Sequence, residues 1–280
     1  MSNTAFQVQY RKEFIAGFEL GQSMLRDCCV TETVIQGNQA VFLTADSGGA
    51  SAVTRGVNGL VPARAENLNQ FTATLTEWHD KPRRTGFNAF ASQGDARRMM
   101  QMSTVKVMNR KIDADIISGL SATSTVLNGG ATATASLAWA TQALTKLANN
   151  EVDVDEADNM FFLVTPAVRA YLMQTKEYNS GDWVDVKPLS GGPIRKVWRW
   201  AGFNWIVHPR LTGKQTNAEQ CFAFHRNAIG HAANMNEAKV AAGWNEEDDY
   251  YYARTSIFMG TALLQNKGVV KCIHDGSSFT

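Results

Sequence analysis

Between Ala45 and Asn69 the chain reads ADSGGASAVTRGVNGLVPARAENLN, with glycines at 48, 49, 56 and 59, a proline at 62 and few large apolar side chains. Such a segment buries too little surface to offset the entropy of ordering it, so it cannot be an element of a packed core. It must project from the body or lie on another surface. The residues that follow, QFTATLTEW (Gln70–Trp78), alternate Phe71, Ala73 and Leu75 with threonines, the period of a half-buried strand. Ahead of it, ETVIQGNQAVFLT is strand material with a turn at Gly37–Asn38. Together these predict a long glycine-rich hairpin that leaves the body and returns, followed by a basic turn at Lys81–Phe87.

The body has to be built from the rest. Residues 5–27 place Phe14, Phe18 and Leu25 at helical spacing, interrupted by Gly17 and Gly21, and the apolar side of that helix needs a partner. Gly94–Leu120 is the clearest helix. Asp95 is its candidate cap, Met99, Met102, Val105, Ile112 and Ile116 fall on or near one face, and charged residues supply much of the remainder. At ~1.5 Å per residue it runs roughly 35 Å or more. A second helix opens at Ser136 with Leu137, Ala140, Leu144 and Leu147 in register. NMFFLVT (Asn159–Thr165) is a continuous apolar run suited to a strand covered on both faces, and Pro166 starts the next helix. IRKVWRWAGFNWIVHPRL forms a strand–turn–strand around Gly202. The end of the chain carries two β-prone runs around the acidic break Glu246–Asp249, and it reads as sheet-completing structure. The fold class is α+β.

Composition excludes several functions. A net charge of +1 gives no global footprint for nucleic acid. No apolar run approaches the roughly 20 residues needed to span a bilayer, and the first residues lack a secretory layout. Cys28, Cys29, Cys221 and Cys272 show no zinc spacing, and reduced, buried thiols in a cytoplasm are expected. The glycine cluster lacks the order and the lysine of a phosphate loop. Four successive carboxylates at Glu246–Asp249 point alternately on an extended chain, which favours a solvated loop over a cation site. The five histidines are scattered and read as surface or interface residues. No Ser–His–Asp arrangement can be assigned. Hence no catalytic, cofactor-binding or metal-ligating residue is proposed and no cofactor is expected.

What remains is charge suited to contacts between chains. Arg55, Arg64, Glu66, Glu77, Asp80, Arg83 and Arg84 lie on the hairpin or its neighbours. Arg97, Arg98, Arg110 and Lys111 sit on the long helix, where two readings stand open. They face packaged phosphate backbones on an inner surface, or they pair with carboxylates such as Glu66, Glu77 and Asp80 between subunits. The near-neutral charge favours the second.

Taken in order, these elements resemble the tailed-bacteriophage major capsid proteins of the Hong Kong 97 type. RGVNGLVP (Arg55–Pro62), QFTATLTEW, the helix at 94–120, FFLVTPAVRAYL (Phe161–Leu172), WVDVKPL (Trp183–Leu189), AGFNWIVHPRL (Ala201–Leu211), CFAFHRNAIGHA (Cys221–Ala232) and YYYARTSIFMGTALLQNKGVVKCI (Tyr250–Ile273) carry the likeness. The resemblance implies an N-terminal arm at 1–30 and a peripheral domain at 31–136, with an extended E-loop at about 44–85 and a spine helix at about 94–120. It further implies an axial domain with a mixed sheet at 137–245, and return strands of the peripheral domain at 246–280. The function it implies is a virion shell of hexamers and pentamers around double-stranded DNA, assembled in the host bacterial cytoplasm and lacking membrane contact. The implied partners are a separate scaffolding protein, a portal and a decoration protein. An encapsulin-like compartment, or a metal-dependent hydrolase using Asp153, Asp155 or Glu246–Asp249, is the alternative. Lys81 and Asn266 carry no motif for an isopeptide crosslink, and none is expected.

Overall fold

Three sheets and one long helix frame the described chain. The structure, a computed structural model, describes residues 22–33, 37–47, 49–64, 66–91, 96–179 and 197–279. The helix expected at 5–27 is thus largely outside the described residues, as are the Asp95 cap and Trp183–Leu189. In chain order the elements are β1 (Val30–Glu32), β2 (Gln39–Asp46), β3 (Asn67–Thr74), β4 (Thr76–Asp80), β5 (Arg83–Thr85), α1 (Gly86–Ala91), α2 (Ala96–Ser121) and α3 (Leu137–Asn149). Then come β6 (Met160–Val164), α4 (Pro166–Gln174), α5 (Lys176–Asn179), β7 (Val197–Trp200), β8 (Phe203–Val207), β9 (Glu219–His225), β10 (Ile229–Asn245), β11 (Tyr250–Leu263) and β12 (Val269–His274).

The aromatic sheet has the order β12-β9-β6-β8-β7, with β6 and β8 parallel. Its central strands β9, β6 and β8 are buried on both faces, which explains the unbroken apolar run at β6. Met160, Phe162 and Val164 join a core with Trp139, Ala143 and Leu147 of α3 and Val168 and Leu172 of α4. Leu163, Phe222 and Phe224 point the other way, into a second core with α2. Phe162 stacks on Trp139 and Trp205 at centroid distances of 4.9 and 4.4 Å. The helices over this sheet start where the sequence places them. The Ser136 hydroxyl accepts from the Trp139 amide at 3.2 Å, and Thr165 caps α4 with Pro166 in its first turn.

The long-strand sheet has the order β1-β10-β11-β4, and β5 continues the β4 edge along β11. Two expectations are corrected by it. Residues 229–245, expected to end the axial domain, form β10 and pair with β11 from Ile229↔Leu263 to Asn245↔Tyr250. Glu246–Asp249 is therefore a hairpin turn within one sheet, not a crossover between two. Conversely, β12, expected with the return strands, pairs with β9 in the aromatic sheet. The physical reason is register: β10 and β11 are long enough to satisfy each other's backbone, while β12 covers the open edge of β9. Nor does the basic segment at Lys81–Phe87 reverse the chain. Pro82, which has no N–H to give a ladder, only interrupts the edge strand, and its carbonyl still accepts from the Ala253 amide at 3.3 Å.

The third sheet is the hairpin β2–β3, paired from Gln39↔Thr74 to Asp46↔Asn67. It starts and ends earlier than the 44–85 expected, because residues 76–85 belong to the long-strand sheet. Ala40, Phe42 and Ala73 seat its base on Ala232 and Leu264. Gly230 makes room for the Phe42 ring, which lies 2.9 Å from where a Cβ would stand. At the far end, Gly59 donates to the Gly56 carbonyl at 2.8 Å and Gly56 to the Leu60 carbonyl at 3.1 Å, closing the tip.

Helix α2 packs its length on β11 and β10, and its position matches the expected 94–120, but its buried stripe differs. Met100, Thr104, Met108, Ile112, Ile116 and Leu120 face inward at four-residue steps, whereas Met102 and Val105 are each 43% exposed. The stripe accepts a polar residue at Thr104 because Thr255 donates a hydroxyl to it at 3.0 Å. Gly119 marks the closest approach, for a Cβ there would lie 2.6 Å from the Thr261 methyl. At the C-terminal end of α2 the Lys271 ammonium donates to the Ser121 carbonyl at 2.9 Å, placing positive charge at the negative end of the helix dipole. No helix among the described residues is long and apolar enough to cross a membrane.

Candidate functional site

Among the described residues the hairpin presents an apolar surface that nothing in the chain covers. Alternation sends Ala40, Phe42 and Ala73 inward, so the opposite face carries Val41, Leu43 and Leu68, and Leu43 is 80% exposed. Beyond Asp46 the loop adds Val53, Val57, Leu60 and Val61, all exposed. A monomer has no physical reason to display such a run of apolar side chains on a segment too poor in them to fold alone. Arg55, Arg64 and Glu66 are exposed on the same loop.

The other charged residues expected to act with the loop sit on the long-strand sheet. Glu77 is on β4, 2.9 Å from His79 Nε2 of its own chain. Burial pushes the Asp80 carboxyl up, partly offset by the positive charge of Arg110. Exposed Arg83 places its guanidinium 4.8 Å from the Tyr250 ring, and the Lys81 ammonium lies 4.8 Å from the Tyr252 ring. Arg84 is half-buried beside it on β5. Lys111 lies over the Trp78 ring at 3.6 Å. Arg110 and Lys111 thus serve the contact of α2 with β4, a role the sequence reading did not foresee. Arg98 is exposed and lines an open cleft of about 840 Å³ with Gln101, Trp244 and Tyr251. Arg97 lies in the first turn of α2, and its side chain is outside the described residues.

Sequence reasoning missed the polar groups that hold the body rigid beneath this surface. Asp113 accepts from the Ser23 hydroxyl at 2.6 Å, from the Met24 and Leu25 amides at 3.1 and 3.2 Å, and lies 3.4 Å from His208 Nε2. Burial alone would raise this carboxyl, but the hydrogen bonds from His208, Ser23, Met24 and Leu25 outweigh it and hold it below its usual range. One residue of the helix therefore ties the start of the described chain to the aromatic sheet. Asp115 accepts from Thr261 at 2.6 Å, and Thr261 in turn contacts His231 Nδ1 at 3.0 Å. Glu219, wholly buried, holds the Thr165 hydroxyl, the Gln215 amide at 2.8 Å and His274 Nδ1 at 2.9 Å. Four of the five histidines are buried within the single chain, where surface or interface positions were expected.

The proposed hydrolase residues form no centre. Glu246–Asp249 are exposed on the turn, and Asp153 accepts from the Asp155 amide at 3.2 Å in a local loop. Among the described residues no three His, Cys, Asp or Glu side chains converge to hold a metal ion.

A body of two mixed sheets bridged by a long helix, with a projecting hairpin, defines the Hong Kong 97 class of shell subunit. The chain belongs to the phage capsid protein family, whose sequence model matches residues 2–275. The solved structures it resembles show the same fold. A chain from Mycobacterium phage Che8 has 16% identity and a TM-score of 0.77, covering 97% of this chain and 98% of that one. The capsid of a native GTA particle has 13% identity and a TM-score of 0.69, covering 98% and 96%. The capsid of Ralstonia phage GP4 has 12% identity and a TM-score of 0.64, covering 97% and 96%. No curated protein gives a significant sequence match. The protein is a phage capsid protein, a structural, non-enzymatic component of the virion. Neither the compartment nor the hydrolase alternative is favoured.

Proposed function

We propose that this subunit forms hexamers and pentamers of an icosahedral shell enclosing double-stranded DNA, with the β2–β3 hairpin as the principal contact between neighbours. The observation that carries this reading is the exposed apolar face of Val41, Leu43 and Leu68 continuing into Val53–Val61. Laid on an adjacent subunit, that face becomes part of an obligate interface, a class that buries roughly 2,000–5,000 Å². Repeated head-to-tail contacts of one chain close into rings. In this reading α2 and the long-strand sheet form the peripheral domain and the aromatic sheet forms the axial domain; the arm to a neighbour, expected at 1–30, is confined to the residues ahead of Ser23, because Leu25, Cys28 and Cys29 are buried in this subunit's own core. Arg55, Arg64 and Glu66 pair with charges of the adjacent subunit beside Glu77, Asp80, Arg83 and Arg84. Arg97 and Arg98 make weak, sequence-independent contact with the packaged phosphate backbone, and Arg110 and Lys111 contribute charge behind them. A scaffolding protein and a portal guide assembly in the host cytoplasm, and a decoration protein binds outside.

The test is deletion of about Gly48–Asn58. The shortened subunit stays soluble and folded by circular dichroism, and electron microscopy shows no stable shells, whereas the full chain forms particles with nuclease-protected DNA in infected lysate. Stable shells from the deleted chain would overturn the role of the hairpin. Particles that hold protein but no DNA would overturn the enclosed genome.

A further inference from the structure

We propose that Asn58, at the tip of the hairpin, is a site of spontaneous deamidation. Asparagine followed by glycine occurs at Asn58–Gly59 and at Asn128–Gly129. The reaction needs only water. The backbone nitrogen of the glycine attacks the side-chain amide carbon, a new N–C bond forms, and the bond to Nδ2 breaks. Ammonia leaves with the proton from the backbone nitrogen, giving a five-membered imide. Water then opens the imide at either carbonyl, giving aspartate or isoaspartate. A glycine at the second position speeds the first step because no Cβ shields its nitrogen.

The two sites differ in everything but the dipeptide. Residues 57–60 are all exposed, and the Asn58 side chain makes no hydrogen bond to any described residue. The Gly59 nitrogen is held only by its bond to the Gly56 carbonyl, 2.8 Å long, in a solvent-exposed turn. Once that bond opens, the nitrogen is free to swing onto the amide. Asn128 is anchored instead. Its backbone is left-handed with φ of 50°, its carbonyl accepts from the Ala131 amide at 3.2 Å, and its Nδ2 donates to Gln142 Oε1 of α3 at 3.2 Å. Attack there requires the side chain to leave α3 and the loop to unwind together. The carboxylate created at Asn58 lies between Arg55 and Arg64, so the modification changes both the charge and, as isoaspartate, the backbone length of the tip.

Trypsin, cutting after Arg55 and Arg64, releases GVNGLVPAR and isolates the site. The folded, dissociated subunit is incubated in mildly alkaline buffer made with heavy-oxygen water, digested, and followed by mass spectrometry. The expected result is conversion of this peptide to labelled acid, with more isoaspartate than aspartate. It proceeds about tenfold faster than at Asn128, equivalent to about 1.4 kcal/mol. In urea the two sites converge in rate. The exposed Asn58→Gln variant folds and leaves the peptide unlabelled. An unmodified GVNGLVPAR after Asn128 has converted, or equal rates at the two sites in the folded protein, would overturn the proposal.

Discussion

Replacing Asp113 by alanine removes the acceptor on which three parts of the chain converge. The side chains of Asp113 and His208 are each 2% exposed, so water cannot replace the lost partner for His208 or for the buried Leu25 amide. Each buried donor left unmet costs about 1–3 kcal/mol. Ser23 and Met24 are only part-buried and recover most of their loss through water. For these two donors the expected deficit is therefore about 2–6 kcal/mol, a large share of the roughly 5–15 kcal/mol that stabilises a domain. Asp113→Asn keeps one acceptor oxygen and should lose about half as much. The assay is urea unfolding of the dissociated subunit, read as a shift in midpoint at unchanged slope. The pH dependence gives a second reading. Because this carboxyl is held below its usual range, its contribution is fully present above the unfolded value of about 3.9 and is lost as pH falls through the folded value. Wild type and Asp113→Ala should thus converge in acid. A deficit under about 1 kcal/mol, or one that persists undiminished through acid, would refute the assignment of Asp113 as the clasp.

Two further outcomes follow from the packing. Gly260→Ala places a Cβ 2.2 Å from the Thr74 carbonyl oxygen, a backbone atom that cannot move aside without shifting the hairpin. It should destabilise by about 1–3 kcal/mol and raise the rate of proteolysis between Gln39 and Thr74, while Gly56→Ala, with its nearest atom at 3.7 Å, should do neither. Burial holds His225, His231 and His274 below the usual imidazole range despite nearby carboxylates. The unfolded chain therefore takes up protons first. Stability is fully present above about pH 6.5 and declines as pH falls toward the folded values, by up to about 1.4 kcal/mol per pH unit for each histidine. Titration of the urea midpoint between neutral and mildly acidic pH checks this, and a flat profile contradicts it.

Local rules carried much of the fold. Ser136, Thr165 and Pro166 act as caps where capping chemistry puts them, and the NMFFLVT run is a strand covered on both sides. The hairpin was legible because its threonine alternation and its poverty in apolar residues are both properties of a short window. Strand partners were not. β10 reads IGHAANMNEAKVAAGWN, with small and polar residues throughout, and nothing in it specifies that β11 rather than β9 is its neighbour. The acidic turn was legible as exposed but not as the end of a hairpin. The α2 face was misphased because Thr104 and Asp113 look like solvent positions until their partners, 151 and up to 95 residues away in sequence, are known. For the same reason the histidines were misplaced: burying imidazole is tolerable only with distant acceptors in place. Of the assembly surface, the loop charges were legible, while the engagement of Arg110 and Lys111 by β4 was not.

The path of the chain between sheets has a consequence for synthesis. The aromatic sheet receives β6, β8 and β9 early, yet its edge strand β12 emerges only after both long strands β10 and β11 have been made. A nascent chain therefore cannot finish one sheet and hold the other in reserve. Any product truncated before Val269 leaves β9 with an open edge and Val270 and Cys272 missing from the core it shares with α3.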